Sequence, residues 1–281
     1  MPLYQAIVLG LVQGLTEFAP VSSSGHLILV PWLFQWSVLI NNPDLNKTFD
    51  VALHLGTFVG AIAYFWRDVT RYLGAWFRSI AHRAVASSDE RVAWMLVAGT
   101  IPGAITGALF ESFIENVLGK PWLVAVMLAV FGAVLYLVDR RARRTRDMDD
   151  LHLKDAVVIG TAQAIALQPG VSRSGITITA ARAVGLDRES AARFSFLLSL
   201  PIIGGAGLLK TLDVVKSGGL PPGFTPDFLW GFVAAAVSGF LVIWLVLSYV
   251  RRRSFAPFVI YRIAAAAFVF GIIAAGIRPA T

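Results

Sequence analysis

The chain has 281 residues, of which 57% are hydrophobic and 15% are charged. Soluble domains carry roughly 25% charged residues, so this composition excludes a soluble globular protein and indicates a helical integral membrane protein. The net charge is +7, but the basic residues are concentrated in a few loops, which indicates orientation at a membrane surface and no nucleic-acid partner. Because the chain has no cysteine, disulfides, thiolate metal sites and a cysteine nucleophile are excluded.

Two apolar segments are interrupted by polar residues at their centres. Residues 2–34 contain Pro20, three serines and Gly25, and each flank is shorter than the ~20 residues that a membrane-spanning helix needs. We therefore predict two half-helices that enter the membrane and return. Residues 156–181 repeat the pattern and predict a second such pair. Irregular backbone at membrane depth must be surrounded by protein or line a wet cavity, and the hydroxyl groups at the first break favour a wet cavity.

The uninterrupted apolar segments predict transmembrane helices at 49–66, 92–110, 121–138, 194–210, 228–249 and 256–277. Loops rich in basic residues are predicted to be cytoplasmic, namely 67–91, 139–154, 182–193 and 251–253. The remaining loops are predicted to lie outside, namely 35–48, 111–120 and 211–227. Each half of the chain then has one returning pair and three spans, and because three is an odd number the second half is predicted to be inverted.

These elements predict an all-α integral membrane protein with an inverted-topology repeat, six transmembrane helices and two re-entrant helix-loop-helix pairs. We expect a single polytopic membrane domain with repeat one at about 1–140, a basic cytoplasmic linker at about 139–154 and repeat two at about 155–281. Inverted repeats with broken helices are a known way to place a polar site near the midplane of a membrane. The two breaks are therefore the predicted location of the functional site.

The first break carries the motif QGLTEFAPVSSSGH, from Gln13 to His26. Gln13 and Glu17 lie four residues apart and share one face of a helix. A carboxylate such as Glu17 is costly in an apolar segment unless it is paired, metal-bound or hydrated, so we predict a catalytic or metal-binding role. The alternative is a structural carboxylate that accepts hydrogen bonds from the loop.

Three serines, Ser22, Ser23 and Ser24, precede the second half-helix of this break. One of them is expected to cap that helix, and the free amides at the helix start are expected to bind an anion. A serine becomes a nucleophile only beside a base, and His26 is close enough in sequence to serve. The alternative for His26 is an ordinary packed histidine.

The second break, at 168–179, reads QPGVSRSGITIT. Arg173 lies at its tip between Ser172 and Ser174, and a guanidinium makes bidentate contacts with phosphate oxygens. Thr177 lies four residues further on the same helical face and adds a hydroxyl donor. The alternative for Arg173 is an ion pair with the carboxylate of the first break.

A further polar pair, Asp50 and His54, lies four residues apart within the first predicted span. The pair aligns with Ser195 and Ser199 in the second half of the chain. We interpret Asp50 and His54 as supporting the site residues without reacting themselves.

The two motifs together resemble the bacterial undecaprenyl-diphosphate phosphatase family, also called the bacitracin-resistance protein family, and the resemblance extends over essentially the whole chain. It implies hydrolysis of a C55 polyprenyl diphosphate to the monophosphate, which recycles the lipid carrier for peptidoglycan and other envelope polymers. It also implies a multi-pass protein of the bacterial inner membrane, a site that opens to the periplasmic side, and a divalent cation, magnesium or calcium. The oligomeric state stays open, with a homodimer among the alternatives.

The resemblance assigns catalytic roles to Glu17, Ser22, Ser23, His26 and Arg173. It places substrate-binding roles on Gln13, Ser24, Ser172, Ser174 and Thr177, and metal binding on Glu17. Many family members have glutamate where this chain has Gln13. Since a neutral amide is a poorer metal ligand, the resemblance here leaves Glu17 to bind a cation alone or together with phosphate oxygens.

The residues leave three mechanisms open: attack by a serine with His26 as the base, attack by His26 itself, or attack by an activated water. A lipid-phosphate flippase or anion transporter is the competing class, because inverted repeats also build transporters. The combination of nucleophile, base, acid and arginine favours the enzyme. An intramembrane serine protease is less consistent with a phosphate-type arginine.

Overall fold

A computed structural model describes residues 1–117, 119–143, 145–216, 219 and 223–280, with side chains undescribed at 39 and 110–117. Arg144 of the basic linker and parts of the outer loops at 111–120 and 211–227 therefore lie outside the described residues. The described chain is helical, with α1 Leu3–Glu17, α2 Ser23–Phe34, α3 Ser37–Ile40, α4 Pro43–Tyr64, α5 Trp66–His82, α6 Ser88–Val117, α7 Pro121–Arg141, α8 Leu153–Ile165, α9 Arg173–Ala183, α10 Arg188–Lys216, α11 Thr225–Val250 and α12 Ala256–Ala274.

Five of these helices, α6, α7, α10, α11 and α12, are long and apolar enough to cross a membrane. A sixth candidate span is the pair α4 and α5, which meets at an angle of 83°. The protein is therefore an all-α, multi-pass membrane protein, as the composition predicts. The six predicted spans correspond to α4, α6, α7, α10, α11 and α12.

Several predicted loops are helical in the structure. Residues 66–82, predicted to lie in a cytoplasmic loop, form the amphipathic helix α5, which buries Tyr72 and Ala75 and exposes Leu73 and Phe77. The charged residues of this segment hide an apolar face with helical spacing, which a search for long apolar runs does not detect. The predicted loop at 182–193 is likewise mostly helical, because α9 ends at Ala183 and α10 begins at Arg188.

The helices around the first break, α1 and α4, pack against α11 so closely that their backbones are in contact. A β-carbon on Gly10 of α1 would lie 2.3 Å from the carbonyl oxygen of Gly231 in α11, and one on Gly60 of α4 would lie 2.3 Å from that of Ala236. The second break is supported in the same way, since a β-carbon on Gly160 of α8 would lie 2.3 Å from the Gly99 oxygen of α6. Small residues let membrane helices approach this closely. The close contacts hold the helices beside both breaks in place.

Candidate active site

Helices α2 and α9, which follow the two breaks, begin with the same capping arrangement. Ser22 and Ser172 have φ angles of 76° and 75°, which are unusual for residues other than glycine. The hydroxyl oxygen of Ser22 accepts the N–H of Gly25 at 3.3 Å, and that of Ser172 accepts the N–H of Gly175 at 3.0 Å. The shared sequence Val-Ser-x-Ser-Gly thus produces two matching helix starts, and one serine in each acts as the predicted cap.

The two breaks contact each other directly, as predicted. The Gly170 N–H donates to the hydroxyl oxygen of Ser22 at 3.1 Å, and the Ser174 hydroxyl donates to the Ala19 carbonyl at 3.0 Å. Ser22 and Ser174 are both buried in this contact. The Ser22 and Ser174 side chains therefore connect the two breaks. Ser23 and Arg173 occupy equivalent positions, as the first residues of α2 and α9.

Glu17, at the end of α1, is the centre of the polar cluster. Its Oε1 accepts a hydrogen bond from Nη2 of Arg173, and its Oε2 accepts hydrogen bonds from the Ser23 hydroxyl and from Nε2 of Gln13, the latter at 3.0 Å. Nε2 of His54 lies 3.6 Å from the same Oε2. Because the Ser23 hydroxyl donates directly to Oε2, Glu17 is placed to take the Ser23 proton.

A cavity of about 430 Å³ opens beside this cluster. Its polar lining consists of Glu17, Ser23, Ser24, His54, Ser172 and Arg173. Since the N-terminal residues of α2 and α9 both belong to this lining, the positive ends of two helix dipoles meet at the cavity. Together with the guanidinium they provide a site for an anionic group, in a volume typical of small-molecule pockets.

Apolar residues complete the cavity wall, namely Val51, Ala166, Leu167, Ile202, Ile203, Ala206 and Gly207. A second cavity, of about 490 Å³, lies among α4, α5, α6 and α10. Its lining includes Phe58, Trp76 and Leu197 and contains no charged side chain among the described residues. Because a buried anionic group requires compensating charge, the anion-binding site is assigned to the first cavity.

His26 is not among the residues that line this cavity. Its Nδ1 lies 2.7 Å from the carbonyl oxygen of Ser22, and its Nε2 lies 2.6 Å from the hydroxyl of Tyr261 in α12, whose ring stacks on the imidazole at 5.6 Å. Both ring nitrogens are thus occupied. The described contacts do not include the expected hydrogen bond between His26 and a serine hydroxyl; in this arrangement the base beside Ser23 is Glu17.

Thr177 and Gln13 also lie behind the cavity wall. The Thr177 hydroxyl is 2.6 Å from the hydroxyl of Ser195 in α10 and donates to the Arg173 carbonyl at 2.7 Å. Gln13 is fully buried, and its Oε1 has no hydrogen-bond partner among the described residues. Gln13 thus contacts Glu17 and Thr177 contacts the backbone of Arg173, and neither is among the residues that line the cavity.

Arg262 of α12 is a site residue that the motifs did not reveal. Its guanidinium is fully buried and donates to five carbonyls, those of Pro20 (3.1 Å), Leu128 (3.0 Å), Met127 (3.2 Å), Gly170 (2.9 Å) and Val171 (3.0 Å). These carbonyls belong to both breaks and to α7. An arginine within a predicted membrane span was the available signal, because such residues are rare and carry a function or a specific partner.

These features define a class of protein: a multi-pass helical membrane protein with a buried carboxylate, an arginine and a serine at an anion-binding cavity. Residues 6–268 match the model of the family described as "Bacitracin resistance protein BacA", so the chain belongs to this family. It is similar to the "Undecaprenyl-diphosphatase" of Desulforudis audaxviator, at 49% identity over 92% of this chain and 94% of the relative. It is also similar to those of Moorella thermoacetica (46% identity; 97% and 98% covered) and Pelobacter propionicus (44%; 99% and 99%).

Proposed function

We propose that the protein hydrolyses undecaprenyl diphosphate to undecaprenyl phosphate and inorganic phosphate. This reaction recycles the lipid carrier of cell-wall synthesis and confers resistance to bacitracin. The observation that carries the proposal is the contact of Glu17 with both Ser23 and Arg173 at the edge of one cavity. Family membership and the name shared by close relatives support the choice of substrate.

Substrate binding starts from the ion pair between Arg173 and Glu17. The Arg173 side chain is 17% exposed on the cavity side, whereas that of Glu17 is 4% exposed. An entering diphosphate offers the guanidinium a new anionic partner, with the amides at the starts of α2 and α9 as further donors. Glu17 is then released from part of its contact with Arg173 and becomes a stronger base toward Ser23.

The reaction that this geometry supports begins with attack by the Ser23 oxygen on the terminal phosphorus. The Ser23 proton passes to Glu17, and the bond between the terminal phosphorus and the bridging oxygen breaks, so that the lipid monophosphate leaves. Arg173 stabilises the charge on the transferred phosphoryl group. Water then attacks the phosphoserine, and inorganic phosphate is released.

A divalent cation, magnesium or calcium, is part of the proposal as a partner of the diphosphate. The described residues contain no group of three or more His, Cys, Asp or Glu side chains that could hold a metal ion. Glu17 is one carboxylate, and its two oxygens already accept several donors, whereas these cations prefer several oxygen ligands. Glu17 would be the one protein ligand of such a cation, whose remaining ligands would be phosphate oxygens of the substrate and water, and the cation would neutralise charge on the diphosphate.

The finer architecture is also a proposal: two inverted repeats, each with one re-entrant pair, namely α1–α2 and α8–α9. The helix pairing supports it, because α1 packs on α11 of the second half while α8 packs on α6 of the first, and α7 packs on its counterpart α12. The matching caps at Ser22 and Ser172 support it further. We propose that this single domain lies in the bacterial inner membrane with the cavity facing the periplasm.

The experiment is phosphate release from undecaprenyl diphosphate by detergent-purified protein, with and without EDTA. Arg173→Ala is expected to lose about 100-fold or more in rate, because it removes a donor to the charge that develops in the transition state. Arg252→Ala, at an exposed position after α11, serves as the matched control and is expected to keep the wild-type rate. If folded wild-type protein binds the lipid without releasing phosphate, the enzyme reading is wrong and lipid transport becomes the function to test.

A further inference from the structure

We propose that His54 is a catalytic residue: its Nε2 accepts the proton of the water that hydrolyses the phosphoserine. This inference rests on the phosphatase function proposed above and adds a residue to it. His54 is on α4, outside both motifs, and its side chain lines the cavity while remaining 33% exposed. It is therefore reachable both by water and by a phosphoryl group.

The hydrogen bond on the other side of the ring determines which nitrogen is available. Nδ1 of His54 lies 2.8 Å from the carbonyl oxygen of Asp50, one turn earlier in the same helix. A carbonyl oxygen can only accept, so Nδ1 carries the proton. In the neutral ring Nε2 is then unprotonated, and because the side chain lines the cavity, Nε2 can accept a proton there.

The position of Nε2 relative to Glu17 places it at the reacting serine. Nε2 lies 3.6 Å from Oε2 of Glu17, the oxygen that also accepts the Ser23 hydroxyl. A distance of 3.6 Å is longer than a hydrogen bond, and a carboxylate oxygen does not donate, so Glu17 does not occupy the Nε2 lone pair. His54 and Ser23 are thus neighbours of one carboxylate oxygen, with the open cavity beside them.

His26 has the opposite arrangement, although it belongs to the first motif. Its Nδ1 contacts the Ser22 carbonyl and therefore donates, and its Nε2 accepts the Tyr261 hydroxyl at 2.6 Å. His26 would have to lose the Tyr261 hydrogen bond before it could accept a proton. Of the two histidines at the site, His54 is the one with a free acceptor at the cavity.

The proposed step transfers the phosphoryl group from Ser23 to water. The water oxygen forms a bond to phosphorus, and the bond between phosphorus and the Ser23 oxygen breaks. One water proton passes to Nε2 of His54, while the proton that Glu17 took in the first step returns to the Ser23 oxygen. Inorganic phosphate leaves, and His54 releases its proton to cavity water. No oxidant or reductant takes part.

The test measures the phosphoenzyme and turnover separately. Wild type, His54→Ala and His54→Gln are mixed with undecaprenyl diphosphate labelled on the terminal phosphate, quenched, and analysed for phosphoserine at Ser23. His54→Ala is expected to form the phosphoserine and to hydrolyse it about 100-fold or more slowly, so that labelled protein accumulates while kcat falls. His54→Gln should be intermediate, since an amide oxygen orients water but does not take its proton.

His82→Gln is the matched control, because it removes an exposed histidine at the end of α5 and should behave as wild type. Thermal unfolding of every variant shows whether it is folded, and His54→Gln keeps the test informative if His54→Ala is not. The inference is overturned if His54→Ala turns over at the wild-type rate, or if its activity falls with no rise in phosphoserine. Absence of phosphate release by wild type would instead refute the underlying phosphatase proposal.

Discussion

Replacing Glu17 by glutamine should destabilise the protein and abolish hydrolysis. Both oxygens of Glu17 accept hydrogen bonds, and the partner Arg173 is 17% exposed. Removing one member of a buried ion pair leaves the other charge uncompensated, at a cost of about 3–5 kcal/mol. Since Arg173 keeps contact with cavity water, we expect the lower end of that range, about 3 kcal/mol in the free energy of unfolding.

The double variant Glu17→Gln/Arg173→Gln is the informative comparison. It has no buried unpaired charge, so it should be more stable than the single variant Glu17→Gln and should recover most of the lost free energy. The assay is unfolding in mixed micelles with increasing denaturing detergent, followed by circular dichroism. Phosphate release should fall by 100-fold or more in both variants, because the base is lost.

Two results would refute this reasoning. Glu17→Gln could unfold at the same detergent fraction as wild type, in which case the ion pair is not a stabilising contact. Alternatively, the destabilising effects of Glu17→Gln and of the single variant Arg173→Gln, measured in the same assay, could add in the double variant, in which case Glu17 and Arg173 act independently despite their contact.

The two breaks and the residues that hold them in place give three further predictions. Ser22→Ala should lower the free energy of unfolding by about 1 kcal/mol, because a helix cap is lost. The variant should still release phosphate at a measurable rate. Complete loss of phosphate release by folded protein would instead favour Ser22 as the nucleophile. Arg262→Lys replaces a guanidinium that donates to five carbonyls by an ammonium with three donors. The free energy of unfolding, measured in mixed micelles, should fall by about 2–4 kcal/mol. A variant as stable as wild type would contradict the stabilising role of these hydrogen bonds. Gly160→Val should prevent the close contact of α8 with α6 and reduce the monodisperse fraction on size-exclusion chromatography, and an unchanged elution profile would contradict it.

The sequence alone identified the membrane class and the residues that meet in the centre of the fold. Long apolar segments determine the spans because a bilayer admits only helices of sufficient length or closed barrels. The paired motifs identified Ser23, Glu17 and Arg173, since polar residues are expensive at such depth. The ion-pair alternative for Arg173 and its proposed phosphate-binding role are both compatible with one structure, because the guanidinium contacts Glu17 beside an open cavity.

Only the tertiary structure decided which atoms of each side chain are available to react. His26 and His54 are indistinguishable as sequence letters, yet a hydroxyl from α12 occupies the acceptor nitrogen of His26, whereas the His54 side chain lines the cavity. Arg262 is 242 residues from Pro20 in sequence, and only the packing of α12 against α7 brings its guanidinium to that carbonyl. Composition and residue spacing predict which segments are buried and which helix face each residue occupies. Contacts between distant segments determine which atoms of a side chain are hydrogen-bonded and which side chains line the cavity.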